Sequence, residues 1–231
     1  MAKQKKEKDW SELRADSSWR MFKIMSEFVD GFEKMERIGP CVSIFGSART
    51  KADNAYYKAA EIIAAKLSKE GYGIITGGGP GIMEAANKGA KSVKGKSVGL
   101  HIELEHEQDW NDYIDPDKLV IFRYFFARKV MFVRYAQAFV FMPGGFGTMD
   151  EVFETITLIQ TKKIDPVPVI FVGTGYWNGL LDWVKETMLG EEKNINARDL
   201  DLFTITDDPA QVVKTINKFY KSKGMKPNMR L

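Results

Sequence analysis

From Cys41 onward the chain alternates short apolar runs with longer segments of helical periodicity, and no other feature restricts its fold so tightly. CVSIF precedes a helical pattern over 53–70, YGIIT one over 81–93, and SVGLHI and KLVIF one over 124–136; AFVFM precedes 148–162, PVIFV 176–188 and FTIT 208–219. Strands that are apolar at every position need cover on both faces, which a parallel sheet between two helical layers provides. The expectation is an α/β fold: a Rossmann-like, doubly wound, mostly parallel sheet with helices on both faces.

Before this alternation, Phe22, Met25, Phe28, Val29, Phe32 and Met35 recur at three- and four-residue intervals, with Asp16, Ser17 or Ser18 placed to cap. We expect one domain over 16–220 with a helical extension over 16–38, between basic tails at 1–15 and 221–231. Residues 103–117, ELEHEQDWNDYIDPD, read as an irregular surface excursion.

The formal net charge is +3, but residues 1–15 carry five basic and three acidic groups and residues 221–231 four basic and none acidic. The body between them is slightly acidic, which is not the footprint of a nucleic-acid binder. A single cysteine, Cys41, and two histidines, His101 and His106, argue against a structural metal. Neither a membrane-spanning run nor a secretory leader is seen, so a cytoplasmic protein without membrane partners is expected.

In a doubly wound sheet, ligands gather at the carboxyl ends of strands. Three loops fall there: Gly46-Ser47-Ala48-Arg49, Thr76-Gly77-Gly78-Gly79-Pro80-Gly81 and Pro143-Gly144-Gly145-Phe146-Gly147-Thr148. Glycines admit close approach of a ligand to the backbone, and amides at a helix start complement a phosphate. GGGPGI does not keep the GxGxxG spacing, and the GKS at 95–97 leads into a strand, so neither a dinucleotide nor ATP is favoured.

Glu151 follows the third loop. It completes T-x-x-E with Thr148, so one role open to it is a capping box; the other is a carboxylate aimed at the far end of a bound phosphate ester. Glu154, one turn on, fits a solvated face. Arg128 lies in FFARKVMFVRYAQ, apolar on nearly every side, and requires an anionic partner: a core carboxylate, Glu151 or a bound phosphate. Lys129 and Arg134 read as surface charges. Met83, Phe146 and Tyr124 are candidates for an apolar pocket.

PGGFGTMDE, GGGPGIMEAAN and the preceding Ala127-Arg128-Lys129 together resemble the LOG ("lonely guy") family, long mislabelled as lysine decarboxylases. The resemblance covers residues 41 to about 190. It implies a hydrolase, a phosphoribohydrolase that cleaves the N-glycosidic bond of a nucleoside 5′-monophosphate, either a cytokinin riboside monophosphate or AMP, without a cofactor. It implies Arg128 and Glu151 as the catalytic pair and Gly144, Gly145, Gly147 and Thr148 as the phosphate cradle. Gly77, Gly78, Gly79 and Glu84 would border the nucleotide, with Gly46 and Ser47 of the first loop beside them. It also implies a dimer with residues of both subunits near the site.

The family pattern often closes on two glutamates; here Asp150 precedes Glu151. A pyridoxal phosphate decarboxylase would carry its aldimine lysine after a histidine, and His101 and His106 precede Ile102 and Glu107. A non-catalytic nucleotide or cofactor carrier on the same fold is the alternative, because a fold hosts many functions. Such a carrier needs the cradle but no carboxylate facing the sugar. Ionised by nearby amides and Arg128, Glu151 would suit a base or electrostatic stabiliser.

Overall fold

The structure, a computed structural model, describes residues 10–104 and 110–222, with the helical backbone alone over 10–17. The seven expected strands are all present: β1 (Cys41–Phe45), β2 (Gly73–Thr76), β3 (Ser97–Ile102), β4 (Leu119–Phe122), β5 (Ala136–Phe141), β6 (Val169–Val172) and β7 (Thr204–Thr206). They form one sheet in the order β4-β3-β2-β1-β5-β6-β7. Every pairing is parallel.

The helices are α1 (Trp10–Glu36), α2 (Ala55–Lys69), α3 (Ile82–Ser92), α4 (Phe125–Arg134), α5 (Phe146–Gln160), α6 (Thr174–Trp183) and α7 (Pro209–Ser222). A π-helical stretch over Val184–Glu191 prolongs α6.

Two separate cores show why the strands are apolar throughout. On one face Phe45, Val98, Phe122, Phe139 and Phe171 pack against α1, α4, α5 and α6. On the other, Val42, Ile44, Ile74, Val140 and Ile170 pack against α2, α3 and α7. Successive side chains of one strand therefore feed different cores, and the fold class read from the sequence is the one observed.

Helix α1 differs from expectation at its start. It begins at Trp10, so residues 10–15 are helical and Asp16, Ser17 and Ser18 lie inside the helix, not at its cap. Glu12, Leu13, Arg14 and Ala15 are good helix formers, and a polar composition does not by itself end a helix. Of the apolar stripe, Met35 is buried and Phe28 and Phe32 pack on the core, whereas Phe22, Met25 and Val29 are exposed. The outer tails, at 1–9 and 223–231, and His106 lie outside the described residues.

Candidate functional site

The chain winds outward from β1 to β4, then returns to the other flank of β1 with β5 and continues to β7. The reversal lies between β1 and β5, so the loops that leave these strands flank the crevice where such sheets bind ligands. They are two of the three glycine loops, and the third follows β2, beside β1.

Backbone bonds knit the three together. Ser47 N–H donates to Pro143 O at 3.0 Å, and Ser47 O accepts from Ile82 N–H at 3.0 Å. Close packing explains several glycines. A Cβ on Gly46 would stand 2.6 Å from Ile82 Cγ2, and one on Gly144 would stand 2.0 Å from Thr148 Oγ1. Gly81 takes a φ of +69° and its Cβ would meet Ser47 O at 2.4 Å. Gly145 and Gly147, by contrast, face open space within 4 Å. Those two leave room above the turn.

The second loop is held from beneath by a buried polar network. Thr76 Oγ1 accepts from Gly78 N–H at 3.0 Å and donates to Asn87 Oδ1 at 2.6 Å, while Asn87 Nδ2 donates to Ser97 Oγ at 2.9 Å. Asn111 Nδ2 reaches Gly78 O at 2.9 Å, Gly79 O at 3.0 Å and Asn87 Oδ1 at 3.0 Å. Residues 110–117 thus do more than cross the surface: Asn111 clamps the loop, and Ile114 is buried against Gly78 and Gly99.

Helix α5 starts at Phe146 with Gly145 as N-cap and no side-chain cap. Its first-turn N–H groups have no carbonyl within the helix to bond and lie at the positive end of the helix dipole. Thr148 sits inside the first turn, folded back onto Gly144, so the capping box does not form. The glycines make the turn that Thr148 would have made as cap. The Tyr176 hydroxyl of α6 donates to Gly144 O and pins this loop from its other side.

Glu151, one further turn along α5, is only 5% exposed. Burial pushes its carboxyl up to about 7, against the pull of Lys129 and Arg128 and with help from Glu154 and Asp150. A carboxylate ionised throughout the neutral range was expected, and the difference is desolvation. Near neutrality Glu151 is divided between its two protonation states.

Arg128 of α4 is half-buried, its guanidinium over the rings of Phe125 at 5.1 Å and Phe132 at 5.7 Å. Its Nη1 would stand 3.7 Å from a Cβ on Gly77, so it borders the second loop while its charge acts on Glu151.

Lys129 is not a surface charge. Its side chain is 16% exposed and forms ion pairs with Asp150 Oδ2 at 2.8 Å and Glu154 Oε2 at 2.7 Å. Burial works against its charge, but the two carboxylates outweigh burial and hold its pKa above the ordinary lysine value. Asp150 and Glu154 are thereby accounted for as partners of Lys129.

The remaining candidates are more dispersed. Glu84, in the first turn of α3, accepts a 2.8 Å hydrogen bond from Tyr57 of α2. Met83 backs Gly77 and Gly79. Tyr124 is the N-cap of α4, and Phe146 is 96% exposed at the lip of the third loop. Asn111, Tyr176 and the Lys129 pairing escaped the sequence, because each acts on a segment far away along the chain.

A parallel doubly wound sheet with three interlocked glycine loops on one edge, and a buried carboxylate beneath the third, defines a Rossmann-like protein. Residues 83–216 match the family model described as possible lysine decarboxylase. The chain belongs to that family, the one its motifs resemble under the name LOG.

It is similar to the cytokinin riboside 5′-monophosphate phosphoribohydrolase of Mycobacterium marinum, at 29% identity over 125 residues, 54% of this chain and 66% of the relative. The enzyme of the same name from Mycobacterium tuberculosis is 30% identical over 127 residues, 54% of this chain and 67% of that one. The alignments thus span about two thirds of these relatives' length. Among solved structures, the molybdenum cofactor carrier protein of Chlamydomonas reinhardtii superposes with a TM-score of 0.59 at 20% identity, covering 79% of this chain and 98% of that one. That likeness concerns the fold alone. No helix among the described residues is long and apolar enough to cross a membrane.

Proposed function

We propose that the protein is a phosphoribohydrolase that splits the N-glycosidic bond of a nucleoside 5′-monophosphate, a cytokinin riboside monophosphate or AMP, giving the free base and ribose 5-phosphate. The observation that carries this reading is the buried Glu151 carboxyl one turn below an uncapped, glycine-lined helix start. A cradle of amides suits any phosphate-bearing ligand; a desolvated carboxyl beside it suits one whose reacting bond lies a sugar's length away.

In this mechanism the phosphate bonds the amides at Gly145, Phe146, Gly147 and Thr148. Water adds to the anomeric carbon as the bond to the base breaks, and positive charge develops on the sugar. Ionised Glu151 takes the proton from that water and faces the developing charge; the electron pair of the broken bond leaves on the base nitrogen, which takes up a proton, so that free base and ribose 5-phosphate depart and Glu151 is ionised again. Arg128, between Glu151 and the Gly77 loop, holds the carboxylate and the nucleotide in register. The protein acts as a homodimer in the cytoplasm.

The test is incubation with AMP and with isopentenyladenosine monophosphate, followed by chromatography for free adenine or isopentenyladenine, alongside Glu151→Gln. Release of base by the native chain and its loss in the variant is expected. Tight nucleotide binding without release of base would make the protein a carrier. Undiminished turnover by the variant would remove Glu151 from the mechanism.

A further inference from the structure

Helix α4 carries Arg128 but brings no cap of its own. Tyr124 stands at its N-cap without a side-chain hydrogen bond, and its first turn holds no acid. The missing carboxylate comes from α1. Glu27 Oε1 accepts the Arg123 N–H at 3.0 Å and Oε2 accepts the Tyr124 N–H at 3.2 Å, across 96 and 97 residues of sequence. Both carboxylate oxygens are engaged, at the end of the helix where the dipole favours negative charge.

The rest of α1 is fitted to the same partner. A Cβ on Gly31 would stand 2.8 Å from Met131 Cε, so the two helices cross closely at that glycine. The Arg134 guanidinium lies over the Phe32 ring at 5.2 Å, and the Tyr135 hydroxyl donates to Phe32 O at 3.4 Å. Lys34 Nζ donates to Leu119 O of β4 at 3.1 Å. Helix α1 therefore grips α4 at its start, middle and end.

We propose that Glu27 is a positioning residue for the candidate active site. Its bidentate cap fixes where α4 begins, and with it the place at which Arg128, in the first turn of α4, meets the Gly77 loop and Glu151. The N-terminal helix is then a working part of the site, although none of its residues is among those proposed to hold the nucleotide. This inference rests on the reading of Arg128 and Glu151 as the reacting pair.

The experiment compares the full chain with Glu27→Ala, Glu27→Gln and Arg128→Ala by three measurements: hydrogen–deuterium exchange, steady-state hydrolysis of AMP and isopentenyladenosine monophosphate, and AMP affinity by calorimetry. In Glu27→Ala, exchange should rise over residues 123–128 while α2 and α3 on the opposite face keep their protection. With it, kcat should fall roughly ten- to a hundredfold, the scale of a small misplacement of a reacting group, with KM changed less. Glu27→Gln, which keeps one acceptor oxygen, should restore part of that loss.

Unchanged exchange and kcat in Glu27→Ala would overturn the proposal. So would a loss of activity accompanied by deprotection of the whole sheet, which marks a merely structural role. Absence of turnover in the native chain refutes the hydrolase reading instead. Positioning is then judged by AMP affinity: weakening in Glu27→Ala matching that of Arg128→Ala supports it, and an unchanged affinity overturns it.

Discussion

Lys129 of α4 bonds Asp150 of α5 at 2.8 Å, and the same ammonium reaches Glu154 at 2.7 Å. Two of the three acids on this turn of α5 are therefore joined to one half-buried cation, and the third, Glu151, feels all three charges. Replacing Lys129 by Met removes a cation that lowers the Glu151 pKa and leaves the neighbouring carboxylates to raise it further. The acid limb of the kcat/KM profile, falling below about pH 7 in the native chain, should move to higher pH in Lys129→Met. Lys129→Arg should keep it in place. A limb that does not move would separate Lys129 from the charge of Glu151.

Glu151 also predicts a stability that depends on pH. Its folded pKa of about 7 exceeds the ordinary 4.5, so its contribution to stability is fully present below about 4.5 and is lost as pH rises through about 7. The difference amounts to at most about 3 kcal/mol. Glu151→Gln should therefore unfold at higher denaturant concentration than the native chain at pH 8.5 and at nearly the same concentration at pH 4.5. Equal differences at both pH values would mean that the carboxyl is not desolvated in solution.

The glycines of the third loop should separate by their surroundings. A Cβ on Gly144 collides with Thr148, whereas one on Gly147 meets nothing. Gly144→Ala should cost roughly 1–3 kcal/mol of stability, the usual penalty of overpacking. Gly147→Ala should melt close to the native chain, apart from its helix propensity, yet weaken AMP binding by standing where the phosphate belongs. Calorimetry of both variants, beside thermal melts, decides the matter.

The strands and the glycine loops at their ends were legible because their information is contiguous. Every residue of β1, β5 and β6 is buried, so each strand reads as an unbroken apolar run, and the glycines of 144–147 lie four to seven positions before Glu151. Contacts between helices were not legible. Lys129 looks like any lysine until α5 is laid beside α4, and Asn111 sits in an acidic run that gives no hint of the loop it holds. Of the two roles open to Glu151, the capping box with Thr148 is not the one formed, because the pattern is local and the helix start is set by Gly145.

The exposed stripe of α1 predicts self-association. Trp19, Met21, Phe22, Met25 and Val29 are each more than half exposed, and Phe125, Phe126 and Val130 of α4 continue the patch through the contact of Phe28 with Phe126. A patch of this kind on one face marks an interaction surface. Light scattering should give the mass of a dimer or a larger assembly for the native chain, and Phe22→Glu combined with Val29→Glu should lower it to that of a monomer. A monomeric native protein would overturn this.

The bonds joining Thr76, Asn87, Ser97 and Asn111 have a consequence for how this protein can change over generations. Altering Asn87 alone takes the acceptor from the Thr76 hydroxyl and the side-chain donor from the Ser97 hydroxyl, both in a dry interior. Drift at Thr76, Asn87 and Ser97 must therefore move as a group, even though none of the three is among the residues proposed to hold the nucleotide.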